Sequence, residues 1–382
     1  MKRCGELRYV AIRARRGASV LIASHRLSET FAGGATAVVY EAQDTMKNRK
    51  VAIKVMSSNK ISRRSLSHRA KQEIKIAKTL VHENIVKLLD SFTESSRKAS
   101  VWELVEGQEL LSILNQHQNG LPEDMAAFYF HQILQGVLFM HKNGFAHGDL
   151  KPENCMVCDS TLQLKLVDFG LTRGLKSQDL RFGFGTPDYM APETLNPFLM
   201  RRGKGKPTVD SRAVDAWAMG VMLYLLVTGV FPFEDPNHSH RLSNTYWNIT
   251  KGNPRKLPEK VTQDCSDLIL SLLVKNPRKR ARLSRVSKNV WLLSNAQAYS
   301  LKIFQPNLFQ TLSVESEPSL SDGPSEIPSI GDFYVDLLKD IHFTSSRSLK
   351  RDTGLIQGSL NGPKKAFGNM LRCCFSSGSV DG

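Results

Sequence analysis

Between residues 25 and 105 the chain alternates short apolar runs, Ala37-Val38-Val39-Tyr40 and Val51-Ala52-Ile53, with turn residues such as Asn48. That spacing predicts the strands of a small antiparallel sheet. A helical pattern opens at Glu73-Ile74 and continues through Ile76 and Leu80. Further on the period changes: Phe130, Ile133, Val137 and Met140 recur at helical spacing, which predicts a core-facing helix. Apolar runs at 136–140 and 164–167 bracket a short polar segment, His147 to Asn154, so that segment reads as a loop held rigid between buried elements. The run from Ala216 to Phe233 carries no charge and is apolar on every face. Beyond Leu293 the composition turns to Ser, Pro, Glu and Asp, a predicted disordered linker from about Ser313 to Ser329. Ser329 then precedes Asp332 by a capping-box interval, and Phe333, Leu337, Leu338 and Ile341 mark one face of a short helix at 330–343.

Composition changes this picture little. A chain of 382 residues with 41% hydrophobic content can bury a sizeable core. The formal net charge of +16 leans towards acidic partners, yet no nucleic-acid recognition motif accompanies it. The six cysteines, Cys4, Cys155, Cys158, Cys265, Cys373 and Cys374, show no disulfide-scaffold spacing, so a reducing, cytoplasmic compartment is the simplest reading. Cys155 and Cys158 fall in a predicted strand, where residues three apart face opposite ways and cannot share a metal. Residues 1–24 hold Lys2, Arg3, Arg8, Arg13, Arg15 and Arg16 against the single acid Glu6. They read as a disordered extension, with an organelle transit peptide as the alternative.

The polar loop carries the chemistry. His147-Gly148-Asp149-Leu150-Lys151-Pro152-Glu153-Asn154, followed by Asp168-Phe169-Gly170, supplies a carboxylate that can accept a hydroxyl proton, an ammonium, and oxygen ligands for Mg²⁺. Val51-Ala52-Ile53-Lys54 precedes them, with Glu73 at a distance suited to a strand followed by a helix. This ordered set resembles the eukaryotic protein kinases, over residues 25–295. Lys151 and the segment Gly185 to Glu193 resemble the serine/threonine type. The hinge and Pro232-Phe233-Glu234-Asp235 look most like the calcium/calmodulin-dependent and AMP-activated group.

The resemblance implies an α+β, bilobal fold with a mostly β lobe at 25–105 and a mostly α lobe at 106–295. It makes the apolar run at 216–233 a buried central helix and not a membrane span. It implies ATP and Mg²⁺ as cofactors, with Asp149 and Lys151 catalytic, Lys54 on the ATP phosphates paired to Glu73, and Asn154 and Asp168 as metal ligands. Phe31-Ala32-Gly33-Gly34-Ala35-Thr36-Ala37-Val38-Val39 takes the place of the glycine-rich loop, with Ala32 and Ala37 where the outer glycines belong, which predicts a stiffer loop and weaker ATP affinity. Backbone groups of Glu103 and Val105 would bond adenine between Phe31, Val39, Ala52 and Met156, and Trp102 would close the pocket behind it. Thr186 would bond within the catalytic loop, and Glu193 would pair with Arg280.

Two departures stand out. Gly148 replaces the arginine that in the family pairs with a phosphorylated activation-loop residue, and Phe182 stands at the usual phosphate position, with Thr172 and Ser177 as other candidates. Activity without activation-loop phosphorylation is therefore expected. The gap between Glu193 and Asp215 is filled by a basic, Gly-rich stretch, Asn196 to Pro207, which suits acidic partners or is simply a flexible insertion. Glu109 and Glu153 predict a modest preference for substrates with basic residues before the target Ser or Thr. In the remaining residues, 296–382, the helix at 330–343 suits packing or a docking partner. Lys364 to Phe375 suits S-acylation at Cys373 and Cys374, hence membrane association, or a calmodulin-like partner. A nucleotide-binding pseudokinase scaffold is the rival reading, suggested by Ala32, Ala37 and Gly148.

Overall fold

A computed structural model of the chain describes residues 20–22, 25–33, 37–56, 63–94, 97–175, 186–195, 209–234 and 242–305. Contacts divide the chain into two units, Met1–Pro306 and Asn307–Gly382, and all described residues lie in the first. The N-terminal residues 1–19, Phe182, Ser177, the insertion at 196–207 and the predicted tail helix fall outside the described residues.

Six strands form one antiparallel sheet: β1 (Val20–Ile22), β2 (His25–Gly33), β3 (Ala37–Asp44), β4 (Arg49–Met56), β5 (Leu88–Glu94) and β6 (Arg97–Glu103), in the order β1-β2-β3-β4-β6-β5. Strand periodicity sorts the side chains into two faces. Val51, Ile53, Ala99 and Val101 bury themselves in a small core with Ala42. On the opposite face Ala52 pairs across to Trp102, and Lys54 to Ser100. Ala52 and Trp102 pack into the much larger core of the rest of the unit. One strand pair therefore carries a closed face and a site-lining face.

Helix α1 spans Arg63–Ala77, so it begins well before the expected opening at Glu73. Its first turns are basic and polar and carry no apolar periodicity. Its buried positions among the described side chains, Ala70, Glu73, Ile76 and Ala77, lie on a single face, so Glu73 is inside the helix and points inward. Short strands β7 (Gly107–Glu109), β8 (Phe145–Ala146), β9 (Cys155–Cys158) and β10 (Leu164–Leu166) follow the large sheet, and the connector after α1 is stitched to β10: Val86 N donates to Leu166 O at 3.0 Å, and Leu166 N donates to Asn84 O at 2.9 Å. The buried Asn84 side chain adds a bond to Leu164 O at 2.9 Å.

The second lobe is mostly helical, as expected of an α+β bilobal fold. Its described helices are α2 (Leu110–Asn115), α3 (Glu123–Lys142), α4 (Ser211–Thr228), α5 (Leu242–Thr250), α6 (Gln263–Leu272), α7 (Leu283–Val286) and α8 (Val290–Phe304). Phe130, Ile133, Val137 and Met140 of α3 are fully buried, as their spacing predicted. Residues 216–228 of the uncharged run lie in α4, which Gly229 closes at φ 77°, and protein surrounds them on nearly every face, whereas 229–233 lie beyond the helix. No described helix is long and apolar enough to cross a membrane. Helix α8 packs on α3 and runs through the expected boundary at 295, with the Trp291 indole donating to Glu123 Oε2 at 2.7 Å. Cys155 and Cys158 bound strand β9 (Cys155–Cys158); the first is buried and the second half-buried. Among the described residues no group of three His, Cys, Asp or Glu is placed to hold a metal.

Arg280 fastens the lobe from below. It meets Glu193 with two bonds, at 2.7 and 2.9 Å, and also donates to the carbonyls of Val274, Ala213 and Lys275. Its guanidinium lies 5.0 Å from the Trp217 ring centre, and its side chain is 0% exposed. Glu193→Gln leaves that charge buried without its counter-ion. A loss of about 3–5 kcal/mol is expected in urea unfolding, and a loss below about 1 kcal/mol, the level of an exposed pair, would contradict the burial argument.

Candidate active site

Lys54 projects from the site-lining face of β4 and meets two carboxylates, Glu73 of α1 at 2.7 Å and Asp168 at 2.8 Å. Burial alone would lower the Lys54 pKa, but the charges of Asp168 and Glu73 outweigh it and raise it well above the usual value. The Lys54 ammonium in turn holds the Asp168 carboxyl at about 2, against the opposing effect of burial and with help from the Gly170 amide. Asp168 sits at φ 61°, a left-handed backbone that costs a non-glycine residue free energy. About half of its side chain, 49%, remains exposed, so one carboxylate can bridge Lys54 and still present oxygen to solvent.

The polar loop is pinned from behind by Asp215 of α4. Its carboxylate accepts from His147 N and Gly148 N, both at 2.9 Å, and from His141 Nε2 at 2.8 Å. Burial opposes its ionisation, but the His141 bond and charge and the Gly148 amide hold its pKa below the ordinary range. Gly148 takes φ 80°, and a Cβ there would meet Leu171 O at 2.9 Å. A side chain at 148 would need the backbone to move.

Past that point Asn154 Nδ2 donates to Asp149 O at 2.7 Å and to Asp149 Oδ2 at 3.0 Å. Lys151 Nζ lies 3.2 Å from the same Oδ2 and donates to Thr186 Oγ1 at 2.9 Å. Two donors thus orient the Asp149 carboxylate through one oxygen. Because Asn154 uses its amide nitrogen here, its carbonyl oxygen is left to face elsewhere. Val167 N bonds to Asn154 O at 2.9 Å, which keeps Asn154 beside Asp168. Two hard oxygen donors suit an ion such as Mg²⁺, which keeps waters and phosphate oxygens in its shell.

Around the expected adenine pocket, Val39, Ala52, Val105 and Met156 are half-buried. Phe31, Ala32 and Gly33 lie in β2, where Ala32 pairs with Val39 and Gly33 with Val38; Ala37 begins β3, and Gly34, Ala35 and Thr36 fall outside the described residues. Glu103 is tied more tightly than sequence suggested. Its N–H donates to Lys87 O at 3.0 Å, while its carboxylate accepts from Lys87 N at 2.8 Å and pairs with Lys165 at 3.0 Å. Sequence reasoning found neither Lys165 nor the Asp215–His141 support, because each joins residues far apart in the chain. Thr172 is corrected as a phosphorylation candidate: it is 5% exposed and its hydroxyl donates to His147 O at 3.3 Å. Glu109 and Glu153 lie close enough to repel. Burial first, and then the other carboxylate, raises the Glu109 pKa; burial likewise raises that of Glu153, whose Oε2 is buried without a partner.

Residues 27–292 match the family described as protein kinase domain. The chain is 35% identical over 294 residues to CBL-interacting protein kinase 5 of Oryza sativa subsp. japonica, covering 76% of this chain and 60% of that protein. It is 34% identical over 321 residues to CBL-interacting protein kinase 19 of the same organism, covering 82% and 58%. It is 31% identical over 299 residues to the SNF-related serine/threonine-protein kinase of Homo sapiens, covering 77% and 37%. The chain therefore spans at most three fifths of the length of these curated relatives.

The ion pairs set a pH dependence. Asp168 has a depressed pKa in the folded state, so its pairing stabilises the fold fully above the unfolded carboxylate value of about 4. That stabilisation fades as pH falls towards about 2. Removing the ammonium by Lys54→Met is expected to move the Asp168 titration upwards towards about 4, read from the carboxyl carbon by NMR; an unmoved titration would contradict the Lys54 assignment.

Proposed function

We propose, from the premise that this chain belongs to the protein kinase family, that it is a serine/threonine protein kinase transferring the γ-phosphoryl group of ATP to protein hydroxyls. The observation that carries this reading is the convergence of Lys54, Glu73 and Asp168 in one chain of ion pairs beside an oriented Asp149. Asp149 accepts the hydroxyl proton as attack proceeds, and Lys151, 3.2 Å away, stabilises charge developing on the transferred group. Lys54 holds the nucleotide phosphates. Asn154 and Asp168 would hold Mg²⁺, which when bound neutralises phosphate charge. The hinge between the lobes, Glu103 to Val105, offers backbone groups to adenine. The Glu103 N–H is already bonded to Lys87 O, so its carbonyl is the group assigned to the base.

The same geometry favours activity without activation-segment phosphorylation. Gly148 offers no arginine to receive a phosphate, and its left-handed backbone and the nearby Leu171 carbonyl leave no room for one. Thr172, buried and hydrogen-bonded, is closed to modification. The pseudokinase reading has no observation in its favour among the described residues, since the groups that scaffolds usually lose are present and assembled. For substrates, Glu109 and Glu153 support basic residues ahead of the target. For partners, the names of the rice relatives make CBL-type proteins the class to test.

Two outcomes check this reading. Purified chain should phosphorylate casein or a basic peptide with Mg-ATP, and Asp149→Asn should lower kcat by about 10²- to 10⁴-fold; transfer that survives this substitution would contradict the role of Asp149. Glu109→Gln and Glu153→Gln should raise KM for an arginine-containing peptide and leave KM for its arginine-free counterpart unchanged. Equal effects on both peptides would remove the basic subsite.

A further inference from the structure

Trp102 is the bulkiest residue on the site-lining face of β6, and it is held in place twice. Its indole Nε1 donates to Ser100 Oγ at 2.8 Å, between two side chains that are 6% and 7% exposed. Its ring lies 5.9 Å from that of Phe169, which is 1% exposed and lies in turn 5.8 Å from the His147 ring. Strand periodicity explains why Ser100 can reach: residues two apart share a face, and Ser100 stands directly across from Lys54 as Trp102 stands across from Ala52. The serine thus sits between the lysine that binds Asp168 and the indole that packs on the residue after Asp168.

We propose that Ser100 is a positioning residue for phosphoryl transfer: its hydroxyl fixes the Trp102 indole against Phe169, and this keeps Asp168 within reach of Lys54. This rests on the kinase reading for its effect on rate, but the latch itself is a statement about conformation. Asp168 occupies a left-handed backbone conformation that surrounding contacts must impose, and the packing of the Phe169 ring is one of them, beside the bonds of Lys54 and Gly170 N to the Asp168 carboxylate. An indole is a poor hydrocarbon because its N–H needs an acceptor when buried. With Ser100 as that acceptor, one orientation of the ring is selected; without it, the buried donor is left unsatisfied and the ring turns to find another partner. Phe169 then loses its packing surface, and Asp168 is freed from Lys54. The latch lies wholly within the strands and the 147–170 region, so it does not depend on a phosphate in the activation segment.

The test uses the full chain with Ser100→Ala, Ser100→Thr and Trp102→Phe, each checked for a cooperative unfolding transition. Two readouts are taken: amide hydrogen exchange of the peptide spanning Val167 to Thr172, and kcat/KM for peptide phosphorylation. Ser100→Ala should speed exchange there and lower kcat/KM by about 5- to 30-fold, the range for one buried donor losing its acceptor. Ser100→Thr, which keeps the hydroxyl, should restore both. In the Trp102→Phe background, where no indole N–H exists, adding Ser100→Ala should change neither. Parent-like exchange in Ser100→Ala, or an equal effect of Ser100→Ala with and without the indole, would overturn the proposal. If the parent transfers no phosphate the kinase reading fails, and the exchange measurement still decides the latch.

Discussion

A lysine ammonium set between two carboxylates is the contact on which the rest of the arrangement depends. Lys54 comes from the sheet, Glu73 from α1 and Asp168 from the loop of the helical lobe, at 2.7 and 2.8 Å. Neither Lys54 at 16% exposure nor Glu73 at 6% would be tolerable as an unpaired charge at that depth, whereas Asp168 is half exposed. Their pairing therefore makes the position of α1 and the backbone of Asp168 conditions of the fold as well as of the chemistry. A left-handed Asp168 is held because its carboxylate is anchored, and Phe169 beyond it is buried against Trp102.

Around this contact the two lobes are joined by backbone bonds as well as by an apolar core that takes in Ile76, Leu80 and Trp102. The 84–87 connector exchanges bonds with β10, and Glu103 gathers Lys87 and Lys165 at the start of the hinge. Both supports converge on strands that carry candidate site residues: Met156 on β9 is the cross-strand neighbour of Lys165, and Glu103 is the last residue of β6. Asp215 does the same from the core, reaching the catalytic loop through two main-chain amides. Backbone anchoring of this kind leaves side chains such as Asp149 and Lys151 available for chemistry while fixing where they start from.

Much of this was legible in the sequence, and the exceptions have physical causes. Lys54, Glu73, Asp149, Asn154 and Asp168 were readable because phosphoryl transfer calls for those residue types and their order resembles the protein kinase signature. The buried helix α3 was readable because Phe130, Ile133, Val137 and Met140 repeat at the helical period. The start of α1 was not, since the turns from Arg63 onwards are polar and leave no periodic mark; tertiary contacts fix that helix, through Glu73 and through the buried Ala70, Ile76 and Ala77. Thr172 looked like an accessible hydroxyl because its buried partner is a carbonyl, His147 O, which no side-chain pattern reveals. The supports from Asp215 and Lys165 were hidden for a similar reason, as they close contacts across long stretches of chain onto backbone groups or onto a side chain assigned elsewhere. Gly148 was legible as a missing arginine. That its φ of 80° and the nearby Leu171 carbonyl would strain any side chain there became clear only in three dimensions.

The central claim is that this ion-paired site is assembled without a phosphate in the activation segment. The most direct measurement is kcat at saturating Mg-ATP before and after exhaustive phosphatase treatment, with mass spectrometry confirming that residues 172–186 carry no phosphate. The account predicts the same kcat in both states. A fall of tenfold or more, about 1.4 kcal/mol in barrier, that is reversed by rephosphorylation of that segment would contradict it.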